Sequence, residues 1–322
     1  MRESILSVSV IIPTYNYAQF ISKAIDSILN QKYDGELEII VVDDGSRDNT
    51  KEVLLEFIES GVVKYFYQEN RGKAAATRTG ILESGGEYIF NLDADDYFLP
   101  DKIARTVALY QEFQDVVHVA NVAKFIINNK EAGHEIFPHE IVDRKSIGSE
   151  VLSLFYSNRV LFGGGSTFSA RASVLKSIEI PDSVDMFIDE YLVLMTLSKG
   201  NCFFLSEPLS VWRGHQNNYT IKKLSSDNKS KRLLDSSLGI LEAIKFERSM
   251  SADVKKLYSL HHYTRTLYFK ELDGTKSFKD ILSFVFFCFF KNRYGLKQLR
   301  TYSVFNRLLP TIIINFIKRN RK

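Results

Sequence analysis

Three carboxylates, Asp93, Asp95 and Asp96, fall within four residues, shortly after the apolar run Tyr88-Ile89-Phe90. A buried strand that runs out into such a cluster has an electrostatic problem, because like charges raise one another's pKa and resist removal from water. A divalent cation resolves it, since carboxylates are hard oxygen ligands suited to Mg2+ or Mn2+. A cation held by few protein ligands keeps coordination positions open for a substrate's phosphates. Asp-x-Asp by itself also describes a solvated acidic turn. Its neighbours decide between the two. Thr14-Tyr15-Asn16 and Asp43-Asp44-Gly45-Ser46 are two further polar clusters that follow apolar runs.

The elements that must position these clusters alternate between strand and helix patterns, the mark of a parallel sheet covered on both faces. Strands are expected over 7–12, 38–42, 62–67 and 88–92. Between them, Phe20, Ile21, Ala24, Ile25, Ile28 and Leu29 recur at helical spacing, Leu54, Leu55 and Ile58 mark a second helix, and residues 73–82 a third. All three polar clusters then lie at the carboxyl ends of strands, where open α/β sheets place their functional loops. A helix is expected over 103–113, a strand-rich stretch over 116–129 with a turn at Asn128-Asn129-Lys130, a helix over 188–197 and a strand over 202–205. Gly163-Gly164-Gly165-Ser166 would let a backbone approach a ligand closely, or form a plain turn. From about residue 227 the pattern is helical throughout. The expected organisation is an α/β domain over 1–225 and a helical region over 226–322.

The 322 residues are 45% hydrophobic and 25% charged, which is ordinary globular composition. A net charge of +3 argues against a nucleic-acid partner. Cys202 and Cys288 match no zinc spacing and read as reduced thiols. The apolar stretch Val8 to Ile12 is too short for a secretory signal, and no run of ~20 apolar residues suggests a membrane span. A cytoplasmic location is expected.

The ordered set Val10-Ile11-Ile12-Pro13-Thr14-Tyr15-Asn16, Val41-Val42-Asp43-Asp44-Gly45-Ser46 and Leu92-Asp93-Ala94-Asp95-Asp96 resembles glycosyltransferase family 2 over residues 5 to 220. That resemblance implies an inverting enzyme with the GT-A fold, a Rossmann-like doubly wound mixed sheet, acting on a nucleotide-activated sugar. It assigns Pro13, Thr14 and Tyr15 to the nucleobase pocket and Asp44 to a base N–H. A uracil N–H needs an acceptor, and an aromatic ring offers a stacking face. Asp43 is expected to support that loop. Arg71, Lys73 and Arg78 match the stretch that approaches ribose and phosphates, with a solvated helix face as the alternative. Asp93 resembles the ribose-facing acid, Asp95 the metal ligand, and Asp96 a residue behind it. In Trp212-Arg213-Gly214-His215, Arg213 resembles a diphosphate clamp and His215 a contact to metal or diphosphate.

A sugar hydroxyl is too weakly acidic to attack unaided, so a carboxylate must take its proton. In this family the base lies in an acidic pair that opens a helix, commonly Glu-Asp. Here the order is inverted, Asp189-Glu190, with Glu190 at the base position and Asp189 at the accessory one; either carboxylate could serve. The expected partners are a nucleoside-diphosphate sugar, with UDP preferred and GDP or dTDP open, and a saccharide or lipid-linked acceptor. The apolar run from Asp280 to Phe290, a second from Leu308 to Ile317 and the basic terminus Lys318-Arg319-Asn320-Arg321-Lys322 fit a helix lying on the cytoplasmic face of a membrane, or equally a packed appendage. A nucleotidyltransferase ranks far lower, because the loop after the first strand is neither Gly-rich nor basic. A non-catalytic nucleotide-sugar-binding subunit of a polysaccharide assembly complex is favoured only by the inverted acid pair.

Overall fold

The computed structural model describes residues 6–158, 165–216, 218, 227–272 and 274–287. They fall into two units, one drawn from residues 1–152 and 160–223 and the other from 153–159 and 224–322. The first unit carries one mixed sheet. Its strands are β1 (Ser7–Thr14), β2 (Glu36–Asp43), β3 (Val63–Tyr67), β4 (Tyr88–Asn91), β5 (Tyr97–Phe98), β6 (Val116–Ile127), β7 (Lys130–His134), β8 (Lys145–Ile147), β9 (Phe168–Arg171) and β10 (Asn201–Gly214). The helices are α1 (Ala18–Leu29), α2 (Thr50–Glu59), α3 (Lys73–Glu83), α4 (Lys102–Glu112), α5 (Gly148–Asn158), α6 (Ala172–Leu175) and α7 (Ile188–Ser198). The chain crosses into the second unit within α5.

The sheet order is β3-β2-β1-β4-β9-β6-β10-β5. The first four strands are parallel, β9 lies antiparallel between β4 and β6, and β10 runs parallel to β6. Strand order reverses at β1, with β2 on one side and β4 on the other. That is the switch point at which such sheets open a crevice. Alternate side chains of the central strands go to opposite faces. Val8, Val10, Ile12, Ile39 and Val41 form one core with Ile21, Ile25 and Ile28 of α1 and Leu54 of α2. Those three isoleucines are completely buried, each contributing ~1.5–3 kcal/mol. On the other face, Ile40 and Val42 pack with Ala76 of α3. Gly80 lets α3 lie close to β1, because a Cβ there would collide with Ile11 Cγ2.

Most expected elements appear within one or two residues of their sequence bounds. The Asn128-Asn129 turn is the tight hairpin between β6 and β7, both residues having positive φ (49° and 62°), a conformation that asparagine tolerates. Two features differ. β9 is an added antiparallel strand in the middle of the sheet. β10 does not stop at Leu205 but runs on to Gly214, with register shifts either side of Pro208. Proline cannot donate to the ladder, so the strand passes it as a bulge and resumes. The resumed half brings Trp212 to Gly214 to the crevice.

The second unit contains α8 (Asp227–Phe246), α9 (Ala252–Leu272) and α10 (Phe278–Phe286). Ile240, Ile244, Val254, Leu257, Tyr258 and Phe284 are buried within it. Ser277 caps α10, donating its N–H to Asp280 Oδ2 (2.9 Å) and accepting from Asp280 N (3.2 Å). No helix of the described residues is long and apolar enough to cross a membrane. The apolar run after Phe287, the Leu308–Ile317 run, the basic terminus and Cys288 lie outside the described residues.

Candidate active site

The loops after β1, β2 and β4 meet. Asp44 N donates to the Thr14 carbonyl (2.9 Å), Asn16 N to Ser46 Oγ (2.9 Å) and Arg47 N to Asn16 Oδ1 (2.7 Å). Asp43 accepts from Ser46 N (2.8 Å) and from the Tyr65 hydroxyl (2.9 Å), which fixes the turn of its own loop. Asp44 is buried and engaged: Oδ1 accepts from Gln68 Nε2 (2.7 Å) and Arg71 N (2.9 Å), and Oδ2 from Gly72 N (2.8 Å). A carboxylate offers about four acceptor positions, and among the described residues three of those on Asp44 are taken. Thr14 closes β1 with a buried hydroxyl that finds no partner among the described residues. Pro13 precedes it in β1, and Tyr15 beside them is 40% exposed.

The acidic loop is held from several directions. Asp96 N closes a tight turn on the Asp93 carbonyl (2.9 Å). Asp93 Oδ1 takes the Lys73 ammonium at 2.8 Å. Asp95 Oδ2 lies 3.1 Å from His215 Nε2 and accepts from Asn218 Nδ2 (2.9 Å). Asp96 accepts from the Ser166 hydroxyl (2.6 Å) and from Arg213 N (3.0 Å). Oxygens of Asp93, Asp95 and Asp96 all come within 4.8 Å of one another. Burial, then the Asp93 charge, raises the Asp95 pKa. Burial, then Asp95 and Asp93, raises that of Asp96 well above the carboxylate range. Three oxygen donors so crowded are the donor set a hard divalent cation takes.

Lys73 joins this loop to α7. Its ammonium lies 2.8 Å from Asp93 and 2.7 Å from Asp189 Oδ2. Burial disfavours the charge of Lys73, but Asp189 and Asp93 together outweigh it and hold the amine protonated. For Asp189 burial raises the pKa, Lys73 lowers it and Asp93 raises it, with a net upward shift. Its Oδ1 accepts no hydrogen bond among the described residues. Gly165 packs against it: a Cβ there would stand 2.7 Å from Asn91 Nδ2 and 2.8 Å from Asp189 Oδ1. Glu190, the next residue of α7, is buried.

The three arginines of the sequence reading differ in their surroundings. Arg71 is exposed, while Arg78 bonds the Ile180 carbonyl (3.4 Å) and Asp182 (3.2 Å). Both line a cleft of about 370 Å³ between α3 and residues 180–185. The Arg213 guanidinium donates to the carbonyls of Asp95, Phe20 (3.2 Å) and Asp96 (3.5 Å) and lies 4.9 Å over the Phe20 ring. In that position it braces the acidic loop.

Four participants escaped sequence reasoning. The Tyr17 phenol is held protonated by burial and by the Asp95 and Asp93 charges beside it. Phe20 stacks on His215 at 4.1 Å. Asn218 reaches Asp95, and the Ser166 hydroxyl, beyond holding Asp96, accepts from Asp93 N (3.1 Å). Tyr17 adjoins a motif and Asn218 lies three residues past His215, but neither spacing is a signal. Ser166 was noticed only for the glycines before it; Gly163 and Gly164 lie outside the described residues.

Residues 9–178, just over half of the chain, match the model of glycosyl transferase family 2. The chain belongs to that family. An uncharacterised glycosyltransferase of Nostoc sp. is 30% identical over 232 residues, covering 70% of this chain and 71% of that protein. Among solved structures, Staphylococcus aureus TarS in complex with UDP superimposes with a TM-score of 0.60 at 17% identity, over 87% of this chain and 78% of that one. The mannosyltransferase PcManGT of Pyrobaculum calidifontis, solved with GDP-Man and Mn2+, gives 0.57 at 18% identity, over 93% and 82%. These likenesses show the fold, GT-A, and the family makes the protein a glycosyltransferase.

Proposed function

We propose that this glycosyltransferase moves a sugar from a nucleoside-diphosphate sugar, with UDP as the preferred nucleotide, to a hydroxyl of a growing saccharide or lipid-linked glycan, in a single displacement with inversion. The observation that carries the reading is the Lys73 ammonium, bonded at once to Asp93 of the acidic loop and to Asp189 at the start of α7. It ties the carboxylates suited to a cation to a carboxylate suited to accept a proton. Solved neighbours in complex with UDP, and with GDP-Man and Mn2+, support the donor class and the metal.

In this scheme Tyr15 stacks on the base, Asp44 accepts its N–H, and Arg71 and Lys73 face the ribose and phosphates. Asp95, with His215 beside it, would hold Mg2+ or Mn2+, which would supply a Lewis acid for the leaving diphosphate. Of the two acids opening α7, Asp189 is taken as the base because the Lys73 ammonium holds its Oδ2 and ties it to the acidic loop. The first helical turn favours the ionised form of either acid. The acceptor's hydroxyl proton passes to Asp189, the oxygen bonds to the anomeric carbon, and the bond from that carbon to the diphosphate breaks on the opposite face.

The same reading extends to the second unit. Phe278, Leu282 and Phe286 recur along one face of α10 and are 62, 46 and 55% exposed. Residues 281–322 contain nine Lys and Arg and no Asp or Glu. An apolar stripe beside basic sequence suits an anionic membrane surface, where a lipid-linked acceptor is met. The enzyme would then work peripherally on the cytoplasmic face.

Nucleoside diphosphate release from a panel of sugar nucleotides with Mn2+, with and without saccharide acceptors, tests the proposal. Asp95→Ala is expected to abolish release. Full metal-dependent turnover in that variant removes Asp95 from the scheme, and donor binding without any release would favour a non-catalytic subunit.

A further inference from the structure

Lys102, the first residue of α4, is 1% exposed, and among the described residues no carboxylate pairs with it. Its ammonium instead meets three neutral oxygens: Asn121 Oδ1 of β6 (2.5 Å), the Ser166 carbonyl (3.0 Å) and Ser210 Oγ of β10 (2.9 Å). It also lies 4.5 Å from the centre of the Phe98 ring. Burial alone pushes its pKa well below the usual lysine range. Such a group is expensive to keep. A methionine of similar length would fill the same space without desolvating an amine, and apolar replacement of buried charge is often neutral or stabilising.

The geometry indicates what the amine provides in return. The Ser166 carbonyl receives both the Lys102 ammonium and the Ser210 hydroxyl (2.7 Å), and Asn121 Nδ2 donates to Ser210 Oγ (3.1 Å). Three elements, α4, β6 and β10, are thereby tied to one peptide. On its other side, Ser166 donates its hydroxyl to Asp96 (2.6 Å) and accepts from Asp93 N (3.1 Å). Hydrogen bonds from a charged donor are short and strong, so they fix position more tightly than apolar packing.

We propose that Lys102 is a positioning residue for the cation-binding loop: it fixes Ser166, and Ser166 in turn holds Asp93 and Asp96 in register for the metal. The proposal rests on reading Asp93 to Asp96 as a divalent-cation site. Partners one step behind a metal ligand typically change metal affinity by roughly tenfold to a hundredfold.

Calorimetric titration of the full chain with UDP, at a series of Mn2+ concentrations, gives the Mn2+ requirement for nucleotide binding without any turnover. Lys102→Met is expected to raise that requirement by roughly tenfold or more, and Ser166→Ala to raise it similarly. The double variant is expected to be no worse than the poorer single one, because both act through one link. Circular dichroism checks the fold. Should Lys102→Met not fold, Ser210→Ala, which removes one acceptor of the ammonium, is expected to give a smaller shift in the same direction. Wild-type Mn2+ dependence in whichever of these variants folds, or losses that multiply in the double variant, would overturn the role of Lys102 while leaving the site intact. A wild-type protein whose UDP binding ignores Mn2+ would overturn the cation-site reading, and this proposal with it.

Discussion

Replacing Lys73 with methionine keeps the length of the side chain and removes its charge. In the native site the ammonium stands 2.8 Å from Asp93 and 2.7 Å from Asp189, and all three side chains are less than a third exposed. Without it the two carboxylates, whose oxygens are at most 5.5 Å apart, face each other. At an effective dielectric of about 20, two unit charges at that separation repel by roughly 3 kcal/mol. The remaining influences on Asp189, burial and the Asp93 charge, both raise its pKa, and Lys73 is the group that lowers it. Ionised Asp189, the proposed base, is therefore scarcer at neutral pH. Roughly 3 kcal/mol corresponds to about a hundredfold loss of kcat. The assay is nucleoside diphosphate release at saturating donor and acceptor across a range of pH. Lys73→Met should show its acidic limb displaced to higher pH, with activity recovering in mild alkali. An acidic limb identical to the wild type, or a loss of the same size at every pH, would refute the idea that Lys73 acts through the charge of Asp189.

Gly72 has φ of +94°, and a Cβ there would press on Asp185 Oδ1, while its N–H serves Asp44. Gly72→Ala should add ~1–2 kcal/mol of strain and raise the donor KM about tenfold, with kcat little changed; an unchanged KM counts against the loop's part in donor binding. Burial lowers the His118 pKa from 6.5 to about 3. Above pH 6.5 both folded and unfolded states are neutral there and its stability contribution is complete. Below it the unfolded chain gains a proton that the fold refuses, at about 2 kcal/mol by pH 5. Denaturant melts between pH 6 and 4 should show this slope in the wild type and a shallower one in His118→Phe; equal slopes contradict it. Changing Phe278, Leu282 and Phe286 together to Ser should release the protein from phosphatidylglycerol vesicles in sedimentation, and a wild type that stays in the supernatant ends the membrane reading.

Much of the scaffold was legible in the sequence because it is local. Val8 to Ile12, Ile39 to Val42 and Tyr88 to Phe90 are dominated by apolar residues, and the isoleucines of α1 repeat at helical spacing, so β1, β2, β4 and α1 follow from local pattern. Chain order then puts Thr14, Asp44 and Asp93 to Asp96 at the same end of the sheet. The strand expected over 202–205 ends short of Pro208 because a single sequence does not reveal a bulge. Only pairing with β6 carries β10 past it to Arg213 and His215.

The residue types and their order thus set the chemistry on offer, a carboxylate cluster suited to a cation and an acidic pair, since composition and spacing are written along the chain. Tertiary structure decided which groups act together. Lys73 and Asp189 are 116 positions apart, and only the packing of α3 and α7 closes that distance to 2.7 Å. Asp189 and Glu190 are neighbours in sequence, yet successive helical side chains point about 100° apart. Which of them faces Lys73 is set by the rotation of α7 against the sheet, a property of packed surfaces that no short stretch of sequence contains.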